Sequence, residues 1–348
     1  MAQQQKPIGV HLTGGVNLPD AETVFRTLSD ILGTRLRRVP DGETGIRRRW
    51  LGWQSDLLAP HPQLQRVPRS EEGHARDELL ELRPGVRPED LVISDIGYAR
   101  VAIESYGIFS SLKAQGILPA QWRFQVSIPS AFGFTMMYVR PDMQAAFEPA
   151  YAKRQLEEVE EICAAIPHDQ LAVQWDIASE FGLLEGLYPA YIGNDFEAVI
   201  ARLVTLGNAV PEDVQMGFHL CYGDHGHEHF KQPDDIGLLV RVANGIVAGL
   251  ARQLTWIHMP VPHDRNDDAY FGPLKTLKLN PDTELYLGLV AYGNHNDGPE
   301  GALRRVAAAR TSAQISFGIS TECGLAREPR ETVTDVLRVL AQAAEPVA

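Results

Sequence analysis

The residues of this chain best suited to chemistry are His219, Cys221 and Cys323. His219-Leu220-Cys221 ends the apolar run Val214 to Cys221 (VQMGFHLC), and Cys323 follows a second run, Ile315 to Ser320 (ISFGIS). Both runs read as buried strands. Side chains alternate faces along a strand, so His219 and Cys221 point the same way, one pleat apart. Imidazole nitrogen and cysteine sulfur are the donors that zinc takes in tetrahedral geometry, and a zinc site built for catalysis keeps one position open for substrate. Other polar residues fall at the ends of similar runs: Asp41 and Glu43, Ser127 and Ser130, Asp176, His258 and His295. Singly, each is also compatible with a capping or solvated residue. Their recurrence at strand ends points to one functional rim.

Eight short Val/Ile/Leu-rich segments would have to position these residues. They are Pro7–Thr13, Arg35–Asp41, Phe124–Pro129, Ala172–Asp176, Gln215–Cys221, Leu254–Met259, Leu285–Val290 and Ile315–Ser320. Helical patterns intervene at Ala21–Leu32, Asp142–Ile166, Asp195–Leu206, Asp235–Gln253, Pro299–Arg310 and Glu331–Ala344. Strands alternating with helices imply a parallel sheet. Eight of them favour an α/β architecture closed as a (β/α)8 TIM barrel, with residues 1–348 as a single domain. Such barrels place their active sites at the C-terminal ends of the strands. The stretch Arg47 to Gln121 is too long for one connection and reads as an insertion after the second strand, with an extra strand near Leu91–Ile96 and a helix at Ala99–Gln115.

Composition narrows the function. The 348 residues are 44% hydrophobic, enough for a full globular core, and carry a formal net charge of −13. An acidic surface argues against nucleic acid and anionic membrane as partners. Three cysteines form no disulfide framework. Cys163, within the helical stretch Gln155–Ile166, reads as a packing residue. The start MAQQQKPIGV has neither the basic nor the apolar region of a signal peptide, and no apolar run of ~18 residues suggests a membrane span. A cytoplasmic location is expected, where thiols stay reduced and available to a metal. Oligomeric state is left open.

At these residues the sequence resembles the catalytic half of cobalamin-independent methionine synthase, in the superfamily shared with uroporphyrinogen decarboxylase. His219-Leu220-Cys221-Tyr222 is similar to that family's His-x-Cys zinc motif, and Ser320-Thr321-Glu322-Cys323-Gly324-Leu325 to its Asp-Cys-Gly-Leu segment, which carries a second thiolate ligand. Val173-Gln174-Trp175-Asp176 resembles the strand whose aspartate binds the substrate's amino group. Tyr292-Gly293-Asn294-His295 falls where the family has a histidine that delivers a proton. Leu12-Thr13-Gly14-Gly15 parallels the first strand loop, where backbone groups hold the substrate carboxylate. The resemblance spans the chain in order, with the His-x-Cys and Cys-Gly-Leu segments as its specific parts.

The resemblance implies a Zn²⁺ cofactor held by His219, Cys221 and Cys323, with a small-molecule thiol and an alkyl donor as partners. It implies catalytic roles for His295 and Asp176, and substrate contacts from Gly14, Gly15, Asp41, Ser130, Asp176 and Glu322. Departures accompany it. The chain is one barrel where the plant and bacterial enzymes have two, the family's zinc-binding glutamate aligns with His258, and its aspartate beside the second cysteine is Glu322. With His258 as fourth ligand the resting site is neutral, a better Lewis acid, which suits an epoxide or activated alkyl group, or the reverse carbon–sulfur cleavage. His258 equally suits a place behind the ligands or against substrate. The expected activity is therefore a zinc-dependent alkyl- or methyltransferase, or C–S lyase. The alternatives are a metal-free lyase or decarboxylase of the uroporphyrinogen decarboxylase type, and a zinc-water hydrolase. The His225-Gly226-His227-Glu228-His229 cluster suits the active-site mouth better than a second metal, and Arg37, Arg38 and Arg47–Arg49 form a basic patch around Asp41–Glu43.

Overall fold

The computed structural model describes residues 6–69, 78–189 and 191–347. The start of the chain read above for a signal peptide therefore lies partly outside the described residues, as does part of the Arg47–Gln121 stretch. Nine strands are present among the described residues: β1 (Arg38–Pro40), β2 (Leu64–Val67), β3 (Leu79–Leu82), β4 (Arg123–Pro129), β5 (Leu171–Ile177), β6 (Gln215–Leu220), β7 (Trp256–Pro260), β8 (Glu284–Val290) and β9 (Phe317–Thr321). Seven form one parallel sheet in the order β1-β4-β5-β6-β7-β8-β9, and β2 and β3 form a separate antiparallel pair. Helices join successive strands of the large sheet and cover its outer face. That is why β5 is buried at every position and its sequence, LAVQWDI, is nearly continuously apolar.

The sheet curls until its edges approach each other. Val10 bridges in parallel to Leu36, just before β1, and to Ile319 on β9. The Val10 amide donates to Arg35 O at 2.8 Å and the His11 amide to Ile319 O at 3.0 Å. The expected first strand, Pro7–Thr13, is thus represented by isolated bridges rather than a strand. Pro7 has no N–H to donate, and Gly9 sits at φ +82, outside the extended region, so a regular ladder cannot run through it.

The helices follow the sequence pattern closely. Ala21–Ile31, for example, is capped by Asp20, which accepts from the Thr23 amide at 2.8 Å, and buries Val24, Phe25 and Leu28. The stretch Arg47–Gln121 differs from the expectation. Among its described residues the strands are β2 and β3, while Leu91–Ile96 forms no strand. That segment buries Leu91 and Ile93 but breaks the alternation at Asp95 and Ile96, and the buried Glu158 carboxylate takes the amides of Ile96, Gly97 and Ala99 at 2.7, 3.2 and 2.9 Å. A side chain thereby replaces the ladder partner, and the helix Tyr98–Ala114 starts from it.

Candidate metal centre and substrate cavity

Parallel register sets three polar residues side by side. Asp176 on β5 is paired with His219 on β6, and His219 with His258 on β7. Cys221 lies one residue beyond β6, and Cys323 two residues beyond β9. Curling of the sheet brings these two ends together. Cys221 Sγ is 3.6 Å from Cys323 Sγ, and Cys323 Sγ is 3.7 Å from His219 Nε2. Among the described residues these three form the one group of metal-ligand side chains, with ligand atoms within 4.8 Å of one another. A tetrahedral ion with bonds of about 2.3 Å to sulfur and about 2.0 Å to nitrogen needs separations of roughly 3.5–3.8 Å between its donors. The distances fit zinc.

The histidine is also prepared electronically. His258 Nε2 lies 3.1 Å from the carbonyl oxygen of Thr321, which can only accept, so that nitrogen carries the proton. Burial holds the His258 ring neutral, with its pKa pushed down to about 3, and its Nδ1 is therefore an acceptor. His219 Nδ1, 2.7 Å away, must be the donor. The His219 proton is thus fixed on Nδ1, and the lone pair of Nε2 is turned toward the sulfurs. His258, expected as the fourth ligand, instead has both nitrogens engaged and stands behind His219. Burial also lowers the pKa of His219 itself, keeping it neutral as a ligand must be. The hydrogen bond it shares with Cys221, in which Cys323 keeps its proton, and then desolvation push the Cys323 thiol well above its ordinary range. A cation in that space is what would make thiolates of the pair.

The Cys323 turn reaches the site because glycines let it. A Cβ on Gly15 would lie 2.6 Å from Ala326 Cβ, and one on Gly324 would lie 3.1 Å from the Gly15 nitrogen. Gly15 is needed for this close packing. Gly14, at φ +147, leaves room for Glu43, whose Oε1 a Cβ there would meet at 2.6 Å.

His219, Cys221 and Cys323 open onto a cavity of about 410 Å³. Two carboxyls, the half-buried Glu43 and the buried Asp176, share its wall with Trp50. Desolvation raises Glu43 to about 7, against the opposing pull of Arg47, and raises Asp176 well above the carboxylate range, with Glu43 adding to the effect. Gln174, wholly buried, donates to Asp176 Oδ1 at 2.8 Å while its own oxygen lies 2.7 Å from His11 Nε2. Glu43 and Trp50 both occupy the left-handed half of backbone space, at φ +48 and +54. Strain of that kind in non-glycine residues gathers at functional sites.

Several expected site residues are placed elsewhere. Asp41 is taken by Arg47, at 2.7 and 3.1 Å, and by the Ser105 hydroxyl at 2.6 Å, and it accepts from the Glu43 amide at 2.9 Å. It shapes the loop whose cavity-facing acid is Glu43. Ser130 caps the helix Ala131–Tyr138 through the Gly133 amide and donates to Glu180. Glu322 pairs with His229 at 3.1 Å, behind the Cys323 turn. His295 stacks on His263, centroids 3.8 Å apart, and is not part of the cavity wall. The histidine cluster disperses: His225 lines the cavity, His227 packs on Tyr292, and His229 turns to Glu322. The basic patch also divides. Arg37 and Arg38 pair with Glu284 at the start of β8, Arg47 with Asp41, and Arg49 with Asp56, while Arg48 reaches the cavity. No periodicity marks Trp50, Tyr188, Phe230 or Arg327 as cavity residues, since all lie in loops.

The chain matches no protein-family profile and no curated protein sequence. Its fold is that of solved cobalamin-independent methionine synthase-like structures. One is a B12-independent methionine synthase from Shewanella sp. W3-18-1 in complex with selenomethionine: TM-score 0.64, 12% identity, 97% of this chain and 96% of that one covered. Another is a candidate vitamin-B12-independent methionine synthase from Listeria monocytogenes: TM-score 0.57, 15% identity, 98% of each chain covered. Among the described residues no helix is long and apolar enough to cross a membrane.

Proposed function

We propose that this chain is a zinc-dependent enzyme that alkylates a substrate thiol, taking a methyl or larger alkyl group from a small-molecule donor or opening an epoxide-like electrophile, or catalysing the reverse carbon–sulfur cleavage. In this reading residues around Val10 close the sheet as an eighth barrel strand, and the chain works as one domain. The observation that carries the reading is the meeting of His219 Nε2, Cys221 Sγ and Cys323 Sγ at zinc-compatible distances on the wall of a cavity large enough for two small substrates.

Zinc bound by these three residues supplies an open coordination position and lowers the pKa of a thiol placed there, so that sulfur is presented as thiolate. Two cysteine thiolates and a neutral His219 leave the centre without net charge. His258 fixes the tautomer and the orientation of His219, the part that outer hydrogen-bond partners play at metal centres. Glu43 and Asp176, deprotonated together when a cation lies between them, hold an ammonium group of the thiol substrate and so orient its sulfur. Burial of Asp176 keeps competing water from that contact. His295, off the cavity wall, is given no step.

The test joins metal analysis to two matched thiols. The purified chain should hold about one zinc, and Cys221→Ser and Cys323→Ser should each lose it, since a hydroxyl does not replace a thiolate at neutral pH. 2-Aminoethanethiol should bind more tightly than 2-mercaptoethanol, and Asp176→Asn should abolish the difference while leaving zinc in place. Full zinc in both serine variants, or equal binding of the two thiols, would overturn the reading.

A further inference from the structure

Behind the cavity wall, Asp176 is backed by a side chain that has one way to lie. Gln174 stands two residues before Asp176 on β5, so it faces the same side, one layer deeper, and is wholly buried. Two partners of fixed polarity set its orientation. The Thr13 carbonyl can only accept and lies 2.5 Å from Gln174 Nε2, while the Trp256 indole N–H can only donate and lies 3.4 Å from Gln174 Oε1. The amide nitrogen therefore faces Asp176, and it donates to Oδ1 at 2.8 Å. The amide oxygen lies 2.7 Å from His11 Nε2, which must be the donor there.

The inner face of the curled sheet is shaped around this amide. Gln174, Gly217 and Trp256 stand in register across β5, β6 and β7. A Cβ on Gly217 would lie 2.2 Å from Trp256 Cδ2, so the indole crosses over the glycine to reach a strand that is not its neighbour. Burial, with His258 and Arg38 adding to it, keeps the His11 ring neutral, and that ring lies against Tyr286 with centroids 5.0 Å apart. An apolar side chain would fill the place of Gln174. The amide adds a donor aimed at Asp176. Burial and the nearby Glu43 work against a charged Asp176, and the hydrogen bonds from Gln174 and Trp50 work for it.

We propose that Gln174 is a positioning residue for substrate binding: oriented by His11 and Trp256, it holds the Asp176 carboxylate as the acceptor for the ammonium group of the thiol substrate. The role rests on Asp176 binding that ammonium in the thiol-alkylation reading.

Calorimetric binding of 2-aminoethanethiol and 2-mercaptoethanol to the purified chain tests it. Gln174→Met should lower the ratio of the two affinities about tenfold, the scale of one hydrogen bond to a charged group, with zinc content and 2-mercaptoethanol binding unchanged. His11→Phe keeps a ring against Tyr286 and acts on Asp176 through Gln174 alone. It should lower the ratio by at least about twofold, the low end for a neutral hydrogen bond. With Asp176→Asn already present, neither substitution should move the ratio further, because the carboxylate through which they act is gone. A ratio left unchanged in either single variant, including by equal weakening of both thiols, would overturn the role, as would a drop that persists alongside Asp176→Asn. Equal binding of the two thiols by the unsubstituted chain would overturn the ammonium-binding reading and this role with it. A preference that both variants leave intact would overturn the role alone.

Discussion

The two ends of the sheet both bury polar side chains, yet only one of them is equipped to act. At the N-terminal end Arg38, 2% exposed, donates to Glu284 and to Gln215 at 3.0 Å, with Trp256 beneath its guanidinium at 4.3 Å. Glu284 also accepts from Tyr286 at 2.8 Å. Positive charge meets negative charge and the rings pack against both. At the C-terminal end two thiols face each other, one imidazole lone pair is directed at them, and Glu43 and Asp176 share a cavity wall with no ion pair to either among the described residues. Buried polarity alone therefore does not distinguish a site from a core. Unmatched valence beside open volume does.

The largest expected effect falls on the thiol pair. Cys221→Ser and Cys323→Ser should bring zinc per chain close to zero, read by elemental analysis, while melting temperature shows the fold retained. Arg38→Leu should do the reverse. It strands part of Glu284's charge and leaves Gln215 without its partner, so unfolding free energy should fall by about 2–3 kcal/mol, reduced from the fully buried case because Glu284 is 30% exposed, with zinc content unchanged. If Arg38→Leu loses the metal, the two ends are coupled and the contrast between them is false.

His258→Phe keeps a ring but removes both hydrogen bonds. Zinc affinity, measured by chelator competition, should drop about 10- to 100-fold without complete loss. Complete loss would make His258 a direct ligand.

Much of this contrast is visible in the sequence. His219, Cys221 and Cys323 stand out because a strand pattern fixes which way His219 and Cys221 face, and because cysteine is scarce here. Seven of the eight expected strands form in the parallel sheet, because short apolar runs between helical patterns are a property of the chain itself. Roles decided by a partner distant in sequence are not legible that way. His258 reads as a ligand until the Thr321 carbonyl and the His219 ring take its two nitrogens. Asp41 and Glu43 are chemically alike in sequence, and Arg47 decides which of them faces the cavity. Leu91–Ile96 is apolar enough to read as a strand, but Glu158, from a helix far along the chain, claims the amides at its end.

The smallest expected effect is a pH slope. Glu43 keeps its proton up to about pH 7 in the folded chain, whereas a free glutamate loses it near 4.5. Between those values the folded state binds more protons than the unfolded, so Glu43 makes stability fall as pH rises from about 4.5 to 7 and level off above. Glu43→Gln should flatten that slope in urea titrations. An unchanged slope would move the perturbed carboxyl elsewhere, with Asp176→Asn as the next variant to measure.

The central claim is that three side chains and one open position form the metal centre. Zinc K-edge X-ray absorption of the purified chain, with and without 2-aminoethanethiol, tests it most directly. The account predicts two sulfur donors, one imidazole and one light atom, changing to three sulfurs when the thiol is added. A first shell with two imidazoles, or one that the thiol leaves untouched, would contradict it.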